Sequence, residues 1–268
     1  MSNPGPSGKE VLLDAIAQNL GEEAIQAIQP QEISEPTDQD ASKSHRKAPV
    51  CMTQSALPRG WNQGGISDIV VGFNREVPRW KPGSVVKWAA WRAGFQNQDD
   101  ADYAAMQLAQ AAEVWNNANI GVTFEWVPLA KDATFVLYHA GDGASVLARA
   151  FFPNNDDLSS LVVFSDAFSS DWKPFMYKVF THELGHVLGL RHEFAIEGLP
   201  ELGLRSEGAG AVQLGPRNPK SVMNYSPDPP EMQQSDIDST KMFYELKADA
   251  NGKPPKVGMT EVKDYIPQ

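Results

Sequence analysis

Between residues 50 and 247, apolar and polar positions follow two rhythms, one of period two and one near the helical repeat. Residues 67–73 (SDIVVGF) and 84–91 read as strands, each bounded by turn residues. Residues 99–117 change to helical spacing: Ala104, Leu108, Ala111 and Trp115 form one buried stripe, with Val114 beside them. Residues 122–127 and 134–138 read as two further strands, and 146–152 with 161–164 as another pair. A helix then starts near Pro174, a residue suited to a first helical turn, runs to Leu188 and stops at Gly189. A last helix is expected from an N-cap at Ser235 to near Leu246. Strands interleaved with long helices argue for an α/β or α+β sandwich.

Outside this domain the pattern weakens. In residues 8–29, Val11, Leu12, Ile16, Leu20, Ile25 and Ile28 predict one or two short amphipathic helices broken near Gly21. Residues 30–49, rich in Pro, Ser, Asp, Gln and Lys, read as a flexible linker. Residues 248–268 offer little to bury and read as a loose tail. The expected division is therefore 1–49, an N-terminal segment with linker; 50–247, the main domain; and 248–268, the tail.

Composition narrows the function. The chain has 268 residues, enough for one filled domain with appendages or for two small ones, and 41% of it is hydrophobic. No run of 18 apolar residues occurs, so no membrane-spanning helix is expected. The first residues show neither a basic leader nor a long apolar core. No signal peptide is visible, which is compatible with the cytoplasm or with export by a processed or non-standard route. A net charge of -11 without a basic stripe argues against a nucleic-acid partner. Nothing calls for a membrane partner, and a monomer is expected. Cys51 is the one cysteine, so no internal disulfide forms.

Three of the five histidines fall in THELGHVLGLRHE. His182 and His186, four apart on a helix, are separated by ~40° in angle and ~6 Å in rise, so both imidazoles can meet one ion. Glu183 follows the first of them and points beside such an ion, where it can reach a water without being a ligand. On a continued helix His192 would lie ~9 Å beyond His186, out of reach. Gly189 tolerates a positive φ and lets the chain turn back. Three neutral imidazoles leave a fourth position for water, the open geometry of a catalytic zinc.

HELGHVLGLRH (182–192) matches the metzincin signature H-E-x-x-H-x-x-G-x-x-H at every fixed position. The chain therefore resembles metzincin zinc proteases. The resemblance implies an α+β, zincin-like fold: a twisted, mostly parallel sheet with an antiparallel edge strand, two long helices and a C-terminal helix. It also implies a zinc-dependent endopeptidase acting on proteins or peptides, with one catalytic Zn2+ on His182, His186 and His192. Glu183 would be the general base. Metzincins carry a methionine turn beneath the metal, and Ser221-Val222-Met223-Asn224-Tyr225 looks like it, with Met223 at its centre.

Two features resemble astacins: Glu193 after the third histidine, and a match to S-x-M-x-Y, whose tyrosine lies near the zinc. Tyr225 would then stabilise the oxyanion or bind the resting metal; a packed core tyrosine is the alternative. Asn224 departs from the usual histidine, the stretch after Glu193 does not match, and the usual disulfides are impossible. Other features resemble matrixins. ARAFFP (148–153) is similar to their substrate-binding edge strand, and residues 236–244 to the start of their last helix, although Arg149 stands where they place a structural-zinc histidine. An extended substrate would pair along Val146, Ala148 and Ala150, with a side pocket walled by residues 226–230. Cys51, where linker meets domain, is a candidate latency ligand for the zinc, as in matrixin zymogens; a small buried hydrophobe is the alternative. Activation would cut between residues 40 and 65. His139 and Asp142 suggest a second metal site, but the other ligands are missing and a loop reading is favoured. Two rival functions stand beside the endopeptidase: a catalytically silent, zinc-stabilised peptide-binding protein, and a hydrolase of small peptides or non-peptide amides. Glu183 speaks against the first of these.

Overall fold

The computed structural model describes residues 6–30, 69–72, 76–200, 203–207, 210–214, 217–226 and 228–268. Cys51 and the linker lie outside the described residues. In chain order the elements are α1 (Gly8–Leu20), β1 (Ile69–Val71), β2 (Val77–Trp80), β3 (Val85–Ala90), α2 (Gln98–Ala118), β4 (Thr123–Trp126), β5 (Phe135–His139), β6 (Ala148–Arg149), β7 (Ser159–Val163), α3 (Met176–Val187), β8 (Leu190–Arg191), β9 (Val212–Leu214), α4 (Gln234–Glu245), β10 (Lys256–Val257) and β11 (Thr260–Tyr265).

The main sheet has five strands in the order β4-β3-β5-β7-β6. Every pairing is parallel except the last, where β6 runs antiparallel to β7 at the sheet edge. The mixed α/β architecture and the mostly parallel sheet expected from the sequence are both present. Strand alternation assigns the two faces. Val86, Trp88, Phe135, Leu137, Leu161 and Val163 point into the principal core with α2 and α3. Ala89 and Val136 point to the opposite face, where they meet Leu13 of α1.

α2 starts where the Asn97 side chain accepts the Asp100 N–H at 2.8 Å and ends at Asn119, whose φ of 52° is left-handed. Its expected stripe of Ala104, Leu108, Ala111 and Trp115 is fully buried. α2 packs along α3, and the Trp115 indole N–H donates to the Thr181 carbonyl at 2.9 Å.

Several expectations need correction. Residues 248–268 are not a loose tail. β11 pairs in parallel with β2, with Val262 opposite Val77 and Tyr265 opposite Trp80. Arg79, 2% exposed, forms an ion pair with Asp264 at 2.7 Å and also donates to the carbonyls of Phe243 and Leu246. A buried guanidinium needs these acceptors, and the tail supplies one of them. The 146–152 strand contracts to Ala148–Arg149, the residues paired with Val163 and Val162 of β7. The N-cap of α4 is Gln233 rather than Ser235, whose hydroxyl instead accepts from the Asn218 side chain at 2.8 Å. The helix near Pro174 opens as a 3-10 turn over Lys173–Phe175 before α3 proper.

Residues 8–28 are attached to the domain rather than hanging from it. Ile28 N–H donates to the Ala90 carbonyl at 2.9 Å, and the Trp126 indole donates to the Ile28 carbonyl at 3.0 Å. Gly21, with φ of 90°, separates α1 from a 3-10 turn at Glu22–Ile25, as the break near Gly21 foretold.

Candidate metal centre

From Val179 to Val187 every residue of α3 is buried. His182, Glu183 and His186 therefore lie inside the protein, at 3%, 0% and 0% exposure. The helix ends at Val187, with Leu188 as its C-cap. Its last carbonyls are satisfied from outside: Trp80 Nε1 donates to Val187 O at 2.8 Å and Tyr244 Oη to Leu188 O at 2.9 Å. Gly189 then takes φ of 95°, and a Cβ there would lie 2.3 Å from the Pro78 carbonyl oxygen. Both its conformation and its space require glycine. The turn brings His192, 2% exposed, back to the first two histidines.

The ring nitrogens can be assigned. His182 Nδ1 faces the Val222 carbonyl at 2.7 Å, and His186 Nδ1 faces the Leu190 carbonyl at 2.7 Å. A carbonyl only accepts, so each Nδ1 carries the hydrogen and each Nε2 keeps its lone pair. His192 Nδ1 meets the Glu207 carboxylate, which imposes the same tautomer. The three side chains offer ligand atoms all within 4.8 Å of one another. His182 Nε2 is buried without a hydrogen-bond partner. His186 Nε2 and His192 Nε2 stand 3.2 Å apart. Two lone pairs at that distance repel unless a cation lies between them. Nitrogens sharing a tetrahedral zinc are ~3.3 Å apart, given the usual zinc–nitrogen bond length. The donor set, its burial and its spacing fit such an ion. Among the described residues this is the group of His, Cys, Asp or Glu side chains placed to hold one.

Electrostatics agree. Burial, and then the neighbouring His192, lower the pKa of His182 to about 3; burial and the neighbouring imidazoles hold His186 well below the ordinary value. Both are neutral at neutral pH, the form a metal takes. For Glu207, burial opposes ionisation, but the hydrogen bonds from His192 and Arg191 and the guanidinium charge outweigh it and hold the carboxyl below the ordinary carboxylate range.

The Ser221–Tyr225 turn, with Met223 at its centre, lies against His182. Asn224 N–H donates to Ser221 O at 3.0 Å, closing it. Asp236 anchors it, accepting from Ser221 Oγ at 2.6 Å and from Val222 N–H at 2.8 Å. The turn in turn holds the histidines: Val222 O accepts from His182 Nδ1–H at 2.7 Å, and Met223 O accepts from Glu193 N–H, next to His192, at 3.0 Å. Met223 Sδ lies 2.3 Å from where a Cβ on Gly185 would sit, so a larger residue at that helix position would force the methionine side chain to move. The Tyr225 ring lies 4.7 Å from the His192 ring and 4.9 Å from Phe194, which itself stacks on His192 at 4.8 Å.

The structure thus gathers His182, His186, His192, Glu183, Met223 and Tyr225 in one place. Val146, Ala148 and Ala150 lie on or beside the edge strand β6, and all three are buried. His139 and Asp142 do not converge. His139 contacts Ser165 Oγ at 3.1 Å, while Asp142 accepts from Ala144 N–H at 2.9 Å as in an ordinary turn. Sequence reasoning missed Glu207, Arg191, Gly185 and Asp236. Gly185 lies within the signature itself, but nothing fixed the spacing of Glu207.

No family model matches the chain, and no curated protein matches it. Among solved structures it is similar to high choriolytic enzyme 1, a hatching enzyme zinc-protease from Oryzias latipes (medaka fish). The identity is 13% and the TM-score 0.40, over 62% of this chain and 94% of that one.

Proposed function

We propose that this protein is a zinc-dependent endopeptidase. The observation that carries the reading is the convergence of three buried imidazoles, each tautomer set by a partner on Nδ1, beside the buried carboxylate of Glu183. Zinc held there supplies Lewis acidity, which polarises a scissile carbonyl and makes a nearby water easier to deprotonate. Glu183 takes that proton and returns it to the leaving amine. Its burial makes a negative charge costly, which a neighbouring dication offsets. The Tyr225 hydroxyl adds a donor for the developing oxyanion. The backbone of β6, at the sheet edge, pairs with an extended substrate. The resemblance of the signature and methionine turn to metzincins supports this assignment of roles.

The test joins metal analysis to cleavage of casein by the purified chain. One zinc per chain, chelator-sensitive cleavage, and a Glu183→Gln variant that keeps its zinc while losing about two to four orders of magnitude in kcat are expected. A Gln variant that cleaves at the original rate removes Glu183 from the chemistry.

One observation favours a second reading. All three imidazoles and Glu183 are nearly inaccessible to solvent. A metal there can serve folding alone, in a zinc-stabilised protein that binds peptides without cutting them. Stoichiometric zinc without cleavage of proteins or small amides supports that reading.

A further inference from the structure

The three imidazoles are not held alike. His182 and His186 each donate to a backbone carbonyl, of Val222 and Leu190. His192 donates to a side chain fifteen residues on, the Glu207 carboxylate. Glu207 is itself fastened. Its Oε2 accepts from Arg191 Nη2 at 2.9 Å and more weakly from Arg191 Nε at 3.3 Å. Its backbone N–H donates to Ala195 O at 2.9 Å. Arg191 is 5% exposed and donates from Nη1 to the Gly72 carbonyl at 3.0 Å. Consecutive residues, Arg191 and His192, thus grip the two oxygens of one carboxylate. Phe194, stacked on the His192 ring with planes 6° apart, removes the remaining freedom to rotate.

We propose that Glu207 is the positioning residue of the third ligand, fixing the Nδ1–H tautomer of His192 and aiming its Nε2 at the ion. The proposal rests on the metal-centre reading and adds to it a device outside the signature. A histidine on a loop has no helix to aim it. A carboxylate behind the ring does so, and also makes the imidazole a stronger donor. Arg191 keeps that carboxylate from rotating away and balances its charge.

The test uses the full chain as wild type and as Glu207→Ala and Glu207→Gln. Zinc affinity is measured by competition with a chromophoric chelator, the His192 tautomer by nitrogen-15 NMR of the metal-free protein, and folding by thermal melting of that same form. Glu207→Ala is expected to weaken zinc by about 10–100-fold and to convert His192 from the Nδ1–H form to a mixture. Glu207→Gln keeps an oxygen acceptor and is expected to restore the tautomer with most of the affinity. The proposal is overturned if Glu207→Ala binds zinc as the wild type does, or if His192 stays Nδ1–H without the carboxylate. It is also overturned if both variants lose affinity only in step with their melting temperatures. A wild type that binds no zinc sinks the metal-centre reading instead, while the tautomer measurement still decides what Glu207 does to His192.

Discussion

The centre has a helical half and a loop half, built by different means. In the helical half the spacing of His182 and His186 on α3 does the work, and neighbouring backbone carbonyls set the tautomers. In the loop half His192 depends on Gly189, on the Arg191–Glu207 pair and on the stacked Phe194. Regular geometry specifies the first from two positions four apart. The second needs one residue with a positive φ and several contacts that are distant in sequence.

The comparison can be broken most directly at Gly189. Alanine there must adopt φ of 95° and push its Cβ to 2.3 Å from the Pro78 carbonyl oxygen. Together these cost about 3 kcal/mol or more. Gly189→Ala should lower the melting temperature strongly and weaken zinc by displacing His192, while α3 keeps its helical signal. Undiminished zinc affinity would show that the loop half does not depend on this turn.

Acid tests the helical half. The folded pKa of His182, about 3, lies below its unfolded value, and that of His186 also lies well below the ordinary range. The unfolded chain takes up these protons first. In metal-free protein the associated stability is therefore complete above about pH 6.5 and drains away as pH falls through the folded values. Chemical denaturation across that window checks the sign; stability that rose on acidification would refute the burial of neutral rings.

A smaller effect is expected where the two halves meet the methionine turn. Gly185→Ala drives a methyl into Met223 Sδ, a crowding worth about 1–3 kcal/mol unless the thioether swings aside. Met223→Ala in the same chain should recover part of the loss, and failure to do so would mean that the two side chains are not the contact at fault. The least change belongs to Tyr225→Phe. It keeps the ring against His192 and Phe194 and removes only the hydroxyl, so zinc affinity should hold while kcat drops about tenfold, a loss of ~1.4 kcal/mol in the barrier. An unchanged kcat would assign the tyrosine to packing.

What was legible in the chain follows the same division. The stripe through Leu108 and Trp115 and the spacing of the histidines are local periodicities, and the structure keeps them. Gly189 was legible because an uninterrupted helix would carry His192 out of reach. Glu207 was not, because its place depends on where the loop after His192 returns, and no rhythm encodes that. The last strand escaped for a related reason. In TEVKDY only Val262 and Tyr265 are buried, and the pairing that orders them lies with Val77–Trp80, far away in sequence. Expectations for Cys51 and for latency concern residues outside those described.

That distant pairing also dictates when the centre can mature. Arg79 and Asp264 are 185 residues apart in sequence, and Trp80 beside that arginine caps the end of α3 through Val187. The strand that braces the histidine helix is thus among the earliest parts of the domain to be made, yet it gains its own neighbour only after residue 264 has left the ribosome. Contacts of such long range form late and slowly. The histidine centre is therefore fully braced only after the β11 segment has emerged, well after the histidines themselves.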